Sequence, residues 1–263
     1  MFIVTLPYSK KEFVIPVITF KDLLELSRLV YDNNTEGLVR TIDTIFNLDG
    51  LSIIDKFFVI VKTRQYYISE SVNLNLGSKS VSVNVSNFTN NLYGIESKHK
   101  IINLGDQQIE IDIPYKFITD NRLDNIYENI IKSITIGNNT IDLSNCTSTN
   151  IQSLLEILPP SVITHLKKFI TCSSHNIEIF STRDNNQDNL YINFVTSQPY
   201  DFITLLLGDY DLISCREILF FLSKRMNSET VLNSPVSDVV FYLKQYQDEI
   251  KRNNDSGNSE LGL

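Results

Sequence analysis

The residue pair best suited to bind a metal is Cys172 and His175, which are separated by two residues. A thiolate and an imidazole at this spacing can both bind zinc, but a structural zinc site needs four ligands. The sequence has no second close pair, so Cys146, Cys215 or His165 would have to supply the others from distant positions. We favour a buried thiol and a surface imidazole, and the sequence leaves metal binding by Cys172 and His175 open.

A second set of metal-binding residue types occurs in the run Asp184–Asp188. Its oxygen-bearing side chains take the first, third and fifth positions of a calcium-type loop. The sixth position is Asn189 where glycine is needed, and the twelfth is Val195 where a bidentate glutamate is needed. A polar turn between two strands explains this run better than a calcium site does.

Two further carboxylates, Asp209 and Asp211, come directly before an apolar helical stripe. The helix dipole favours acidic side chains at this position, so we interpret the pair as a helix cap. The catalytic alternative that remains is a metal-dependent hydrolase with a dispersed site formed by Asp184, Asp188 and Asp209.

Local motifs for nucleotide binding and hydrolysis are missing from the sequence. The nine glycines form neither a Gly-x-Gly-x-x-Gly pattern nor a Gly-Lys-Ser/Thr phosphate loop. Neither a Gly-x-Ser-x-Gly elbow nor a His-Glu-x-x-His helix occurs. We therefore predict no catalytic residues, no cofactor and no enzymatic activity.

Composition limits the classes of partner. The chain has 263 residues, of which 42% are hydrophobic, so it can bury a sizeable core. Its 23 Lys and Arg against 31 Asp and Glu give a net charge of −8, which disfavours nucleic acid and anionic membranes as partners. No apolar run approaches the roughly 20 residues that a bilayer crossing needs.

Other features of the composition concern the compartment. Residues 1–7 lack a basic segment followed by an apolar one, and the three cysteines are an odd, widely spaced set. We expect a protein that stays in a reducing cytoplasm. The sequence has no Ala and no Trp, which indicates an AT-rich coding sequence of the kind found in many phages and bacteria.

The amino-terminal part is predicted to be helical after a short extended segment at 10–16. Thr19 and Asp22 form a capping-box pattern before a helix over 20–32, and Thr35 can cap a second helix. Ser52 and Asp55 repeat the cap pattern before a third helix, whose interior is almost entirely apolar.

Alternating patterns then predict strands. They predict a hairpin over 71–76 and 81–85 and further strands over 101–104 and 109–113. A helix after Thr119, a hairpin over 134–136 and 140–143, helices over 149–158 and 161–171, and strands over 176–182 and 189–195 follow. The last third is predicted to be helical.

These elements predict an α+β fold with two units. Residues 1–118 are expected to form helices followed by a small antiparallel sheet, and residues 119–252 a mostly helical unit with β-hairpins. Residues 253–263 are rich in Asn, Ser, Gly and acid and are expected to form a disordered tail.

The carboxy-terminal helix carries the predicted partner-binding residues. An apolar stripe runs from Val236 to Ile250 at helical spacing. Phe241, Tyr242, Tyr246 and Gln247 crowd its flank beyond what one core-facing stripe needs. We predict that these four residues bind a partner protein, and the alternative is that they complete an intramolecular core.

One order of features resembles a known family. A stretch containing Leu6-Pro7, Lys10-Lys11, Phe13 and Pro16 leads into a helix. The segment 51–64 follows, with Asp55, Phe57-Phe58 and Arg64 as an acid–aromatic–apolar–Arg helix before a β-unit. This order is similar to that of the base-plate protein family of T-even-like bacteriophages. Segments 158–169 and 216–225 are compatible with it.

The resemblance implies a role in assembly of the tail baseplate hub, as a hub component or an assembly factor. The implied partners are other baseplate hub proteins, with homo-oligomers left open, and the implied location is the host cytoplasm during assembly or the virion. Relatives often carry paired cysteines in the β-unit, and residues 71–88 contain none, so no zinc role is carried over. A bacterial cytoplasmic adaptor is a further alternative.

Overall fold

The computed structural model describes residues 2–76, 79–94, 100–105, 107–119, 123–143, 153, 156, 158–172, 176–180 and 190–259. It is 54% helical and 22% strand, with small antiparallel sheets and a helical carboxy-terminal part. The predicted α+β class is confirmed.

The amino-terminal part consists of a β-ribbon followed by three helices. Strands β1 (Phe2–Thr5) and β2 (Glu12–Ile15) pair antiparallel. They lead into helices α1 (Phe20–Tyr31), α2 (Thr35–Phe46) and α3 (Ile53–Tyr67). The order of these helices is the predicted one.

The helix caps explain where these three helices begin. The predicted capping box of Thr19 and Asp22 is present in full at the start of α1. The Ser52 hydroxyl accepts a hydrogen bond from the Asp55 N–H (3.2 Å), as predicted for α3. The prediction that Thr35 caps α2 is wrong, because Asn34 is the cap and accepts from the Gly37 N–H at 2.9 Å. Asn is at least as good a cap as Thr.

Helix α3 is the central element of the core. Its interior run Phe57–Val61 is fully buried, and buried side chains lie on every side of the helix. A helix that is apolar all round belongs inside a protein. The ring of Phe57 lies edge-on to the rings of Phe194 and Phe202, at centroid distances of 5.4 Å and 5.0 Å, respectively. Helix α3 therefore packs against residues from the second half of the chain.

Strands and short helices occupy the middle of the chain. Strands β3 (Ser71–Leu76) and β4 (Lys79–Asn84) form the predicted hairpin. Helix α4 (Val85–Asn91) and a single 3₁₀ turn follow.

A four-stranded antiparallel sheet has the order β5-β6-β7-β8. Its strands and the helix α5 inserted between β6 and β7 have these bounds: β5 (Lys100–Leu104), β6 (Gln107–Ile111), α5 (Leu123–Ile130), β7 (Ile131–Ile136) and β8 (Asn139–Asp142). Strand β6 pairs with β7 across the predicted domain boundary at 118/119. One continuous hydrophobic cluster also contains residues from both sides of that boundary. The division at 118/119 stays a prediction, while strand pairing and core packing run across it.

The remaining elements are mostly helical. They are α6 (Pro160–Ile170), the hairpin β9 (Asn176–Phe180) and β10 (Leu190–Asn193), α7 (Pro199–Leu207), α8 (Leu212–Ser223), α9 (Ser228–Asn233) and α10 (Val236–Ser259). Helix α10 continues to Ser259, into the segment 253–263 that the sequence predicts as a disordered tail. Residues 260–263, residues 181–189 and most of the predicted helix 149–158 lie outside the described residues.

A buried guanidinium joins three elements of the core. Arg64 of α3 is only 4% exposed. Its Nη1 donates to the carbonyl of Leu206 (2.6 Å) at the end of α7, and its Nη2 donates to the carbonyl of Ser71 (2.7 Å) at the start of β3. Burial lowers the pKa of Arg64 to about 10, so it remains charged at neutral pH. The dipole of α7 favours a cation at its carboxyl end.

The neighbouring Gly208 makes room for this contact. It ends α7 with a positive φ of 55°, a conformation that glycine adopts without strain. A β-carbon at Gly208 would lie 3.1 Å from Nη1 of Arg64 and 2.9 Å from Cγ2 of Val72. The chain can therefore bring its α7 carbonyls close to Arg64 only with glycine at this position.

We predict that Arg64→Lys lowers the free energy of unfolding by about 2–4 kcal/mol. A lysine ammonium cannot reach the carbonyls of both Leu206 and Ser71, so at least one buried acceptor loses its hydrogen bond. Chemical denaturation followed by circular dichroism measures this. The matched control is Arg28→Lys on the exposed face of α1, which should change stability by less than about 0.5 kcal/mol. Equal losses in the two variants would contradict the role of Arg64.

Candidate functional site

The predicted partner-binding residues lie on α10, whose first turn is fixed to the start of α1. The Phe20 N–H donates to the Ser234 carbonyl, and the Val236 N–H donates to the Ile18 carbonyl, both at 3.0 Å. Val236 and Val239 are buried. The amino-terminal end of α10 therefore has a fixed position on the body of the protein.

The four predicted residues differ in exposure. Phe241 is 62% exposed, and its ring lies 5.9 Å edge-on from that of Tyr242. Tyr242 and Tyr246 are half-buried and pack against the core, while Gln247 is exposed. The two tyrosines thus contribute to intramolecular packing, and Phe241 and Gln247 face solvent. Partner binding by the four residues stays a prediction.

Arg225, which was not predicted, holds α10 from the side. It follows α8, and its guanidinium lies 4.4 Å from the ring centroid of Tyr246. It also forms an ion pair with Glu249 (3.2 Å). Beyond Tyr246, every residue of α10 from 247 to 252 is exposed. Helix α10 is therefore anchored over its first half, and its residues 247–252 are exposed, with Glu249 tied to Arg225 by the ion pair.

A shallow hollow of about 540 Å³ lies beside this exposed part of α10. We call it the α10 hollow, and it is lined by Gln245, Tyr246, Asp248, Glu249 and Arg252. It combines an aromatic ring with two carboxylates and one guanidinium.

A second exposed apolar surface lies on α8. Ile213 and Phe220 are 61% and 66% exposed, although both are large and apolar. Their spacing of seven residues places them on one side of the helix, away from the buried Leu212, Cys215 and Leu222. Only the buried stripe of α8 was predicted from the sequence. The seven-residue spacing of Ile213 and Phe220 indicates a second apolar side of α8 in the sequence, but it does not show which of the two sides is exposed.

Among the described residues, the carboxylates considered for a metal site do not lie together in a cluster. Asp209 accepts a hydrogen bond from Nδ2 of Asn73 (2.7 Å). Asp211 caps α8 and accepts from the Ser214 N–H at 2.7 Å, which confirms the cap interpretation for Asp211. The interpretation is wrong for Asp209, which is not the cap residue of α8. Asp184 and Asp188 lie outside the described residues.

The cysteine and histidine candidates are similarly dispersed where they are described. Cys172 is partly buried just beyond α6, and His165 donates through Nδ1 to the Ser161 carbonyl (2.8 Å). Burial between α1 and α8 raises the pKa of the Cys215 thiol to about 11, consistent with a buried apolar role. Cys146 and His175 lie outside the described residues.

Within the described part of the chain, no group of three or more His, Cys, Asp or Glu side chains is arranged to hold a metal ion. The helices of that part include none with the length and apolar character needed to span a membrane. No family model, curated protein or solved structure matches this chain.

We predict that Asp211→Ala lowers the free energy of unfolding by about 1 kcal/mol at neutral pH through loss of the α8 cap. Hydrogen bonds from Ser214 lower the pKa of the Asp211 carboxyl, so its ionised form is favoured in the folded state. This stabilisation is present above the unfolded-state pKa and is lost as the pH falls through the folded-state value. Thermal melts across a pH series measure the effect.

The matched variant is Asp211→Asn, which retains a capping oxygen without a titratable group. It should remain close to wild type at neutral pH and should lose the pH-dependent part of the stabilisation. A loss from Asp211→Ala that is the same at every pH would contradict this account.

Proposed function

We propose that this protein is a non-enzymatic assembly protein of a phage tail baseplate hub, which works by binding other hub proteins. The observation that carries the binding role is the exposed Phe241 on a helix whose start is fixed to the body of the protein. The choice of baseplate proteins as partners rests on the sequence pattern of residues 6–16 and 51–64.

Exposed aromatic rings on a fixed helix favour a binding role on energetic grounds. Burying a phenylalanine side chain contributes about 1.5–3 kcal/mol relative to leaving it in water. Because α10 is already ordered at Phe241, a partner would not have to order the helix on binding, which preserves affinity. Gln247 would contribute to the polar rim typical of such interfaces.

Two residues of the pattern that resembles the baseplate family also support the proposal, because they hold elements of the fold together. Asp55 and Arg64 are both buried. The Asp55 carboxylate accepts hydrogen bonds from the Tyr8 N–H (2.9 Å) and the Ser9 N–H (3.1 Å), and so ties the amino-terminal ribbon to α3. The acid–aromatic–apolar–Arg pattern thus belongs to a frame that holds other surfaces in place. The proposed setting is the host cytoplasm during assembly, or the baseplate of the virion.

The test is affinity capture of the tagged protein from phage-infected cells, with identification of the captured proteins by mass spectrometry. Baseplate hub proteins should be enriched over a tag-only control. Phe241→Ser should reduce their recovery by at least about tenfold, as expected for an aromatic anchor. The matched control is Tyr31→Ser, because Tyr31 is similarly exposed, at 66%, but lies on α1.

Two outcomes would count against the proposal. A captured set without tail proteins would refute the baseplate role. Full recovery of hub proteins by Phe241→Ser, with that variant folded as judged by circular dichroism, would refute binding through this face of α10.

A further inference from the structure

The outer surface of α8 carries an aromatic ring covered by a cation. The ammonium of Lys224 lies 4.4 Å from the ring centroid of Phe220. Phe220 is 66% exposed, and Lys224 is exposed and makes no ion pair with any described residue. We call Phe220 and Lys224 the α8 knob.

The α10 hollow has the complementary chemistry. It contains the ring of Tyr246, the carboxylates of Asp248 and Glu249, and the guanidinium of Arg252. Glu249 is already paired with Arg225, whereas Asp248 is exposed and makes no ion pair with another described residue. The hollow therefore offers an aromatic surface and a carboxylate, that of Asp248, without an ion-pair partner among the described residues.

The knob and the hollow lie next to each other on one molecule. Arg225 directly follows Lys224 in the chain, and it contacts both Tyr246 and Glu249 of the hollow. A surface that carries two complementary patches side by side can pair with a second copy of itself about a two-fold axis. Each knob then enters the hollow of the other copy, and every contact occurs twice.

We propose that the protein forms a symmetric homodimer in which the Phe220–Lys224 knob of each copy docks in the α10 hollow of the other. Phe220 packs against the ring of Tyr246, and the Lys224 ammonium pairs with the Asp248 carboxylate. The local charges select this arrangement, since two chains with a net charge of −8 otherwise repel each other.

The energetics of the contact follow from its two parts. Removal of Phe220 from water supplies the hydrophobic part, and the aromatic pair adds about 0.5–1.5 kcal/mol. The Lys224–Asp248 pair supplies orientation and is weakened by salt, because exposed charges are screened over about 8–10 Å at physiological ionic strength. Salt also screens the repulsion between the two net-negative chains, so charge variants at Lys224 and Asp248 isolate the contribution of this pair better than salt does.

Sedimentation velocity over a concentration series tests the proposal with the full chain. Wild type should show a monomer–dimer equilibrium. Phe220→Ser, Lys224→Glu and Asp248→Lys should each raise the dimer dissociation constant by at least about tenfold. Tyr31→Ser is the control for loss of an exposed aromatic and should dimerise like wild type.

Mixing two charge variants gives the sharpest result. In an equimolar mixture of Lys224→Glu and Asp248→Lys, a mixed dimer has one wild-type knob–hollow pair and one pair with the charges exchanged. Dimerisation should therefore recover in the mixture, although each variant alone dimerises much more weakly than wild type. Such recovery cannot come from misfolding of either chain.

Three results would overturn the proposal. They are a wild type that is monomeric at every concentration, dimers that persist in folded Phe220→Ser, and a mixture that stays monomeric. None of these bears on the baseplate proposal, which is tested through Phe241 and the identity of captured proteins.

Discussion

The buried guanidinium of Arg64 is the interaction on which the arrangement of the other elements depends. It is a charge inside the protein with backbone carbonyls as its hydrogen-bond partners, contributed by β3 and by the end of α7. A buried charge is tolerated when its donors are satisfied, and it is costly when they are not. The chain must therefore bring α3, β3 and α7 to one place, and Gly208 permits that approach.

Helix α3 is anchored by polar contacts at both ends and is apolar between them. Asp55 holds the turn that contains Tyr8 and Ser9 at its start, and Arg64 holds α7 near its end. The apolar middle packs against Phe194 and Phe202. This arrangement fixes the body on which α1 lies, and α1 in turn fixes the start of α10. The positions of the exposed surfaces of α8 and α10 thus depend on these buried contacts.

Local chemistry made much of this fold predictable. Caps at Thr19 and Ser52, together with the length of the following segment, predicted α1 and α3 as helices, and alternation predicted the β3–β4 hairpin. Helix α4 was missed because Val85 continues the strand alternation before it. The pairing of β6 with β7 was also missed, since the two strands are far apart in sequence and register between distant strands has no local signature.

The surfaces were predictable only in part. An excess of aromatic residues on α10 indicated Phe241, which is exposed, but the contacts of Tyr246 with Arg225 depend on how α8 and α10 pack. Phe220 was missed for a related reason. A helix with apolar residues on two sides does not reveal from sequence which side is covered.

Amide hydrogen exchange on the native protein, measured by mass spectrometry, tests the central claim most directly. If α3 is the anchored centre of the fold, its amides should exchange only with global unfolding and should be the slowest in the chain. The exposed segment of α10 from 247 to 252 should exchange much faster. Exchange in α3 that is as fast as in that segment would contradict the account.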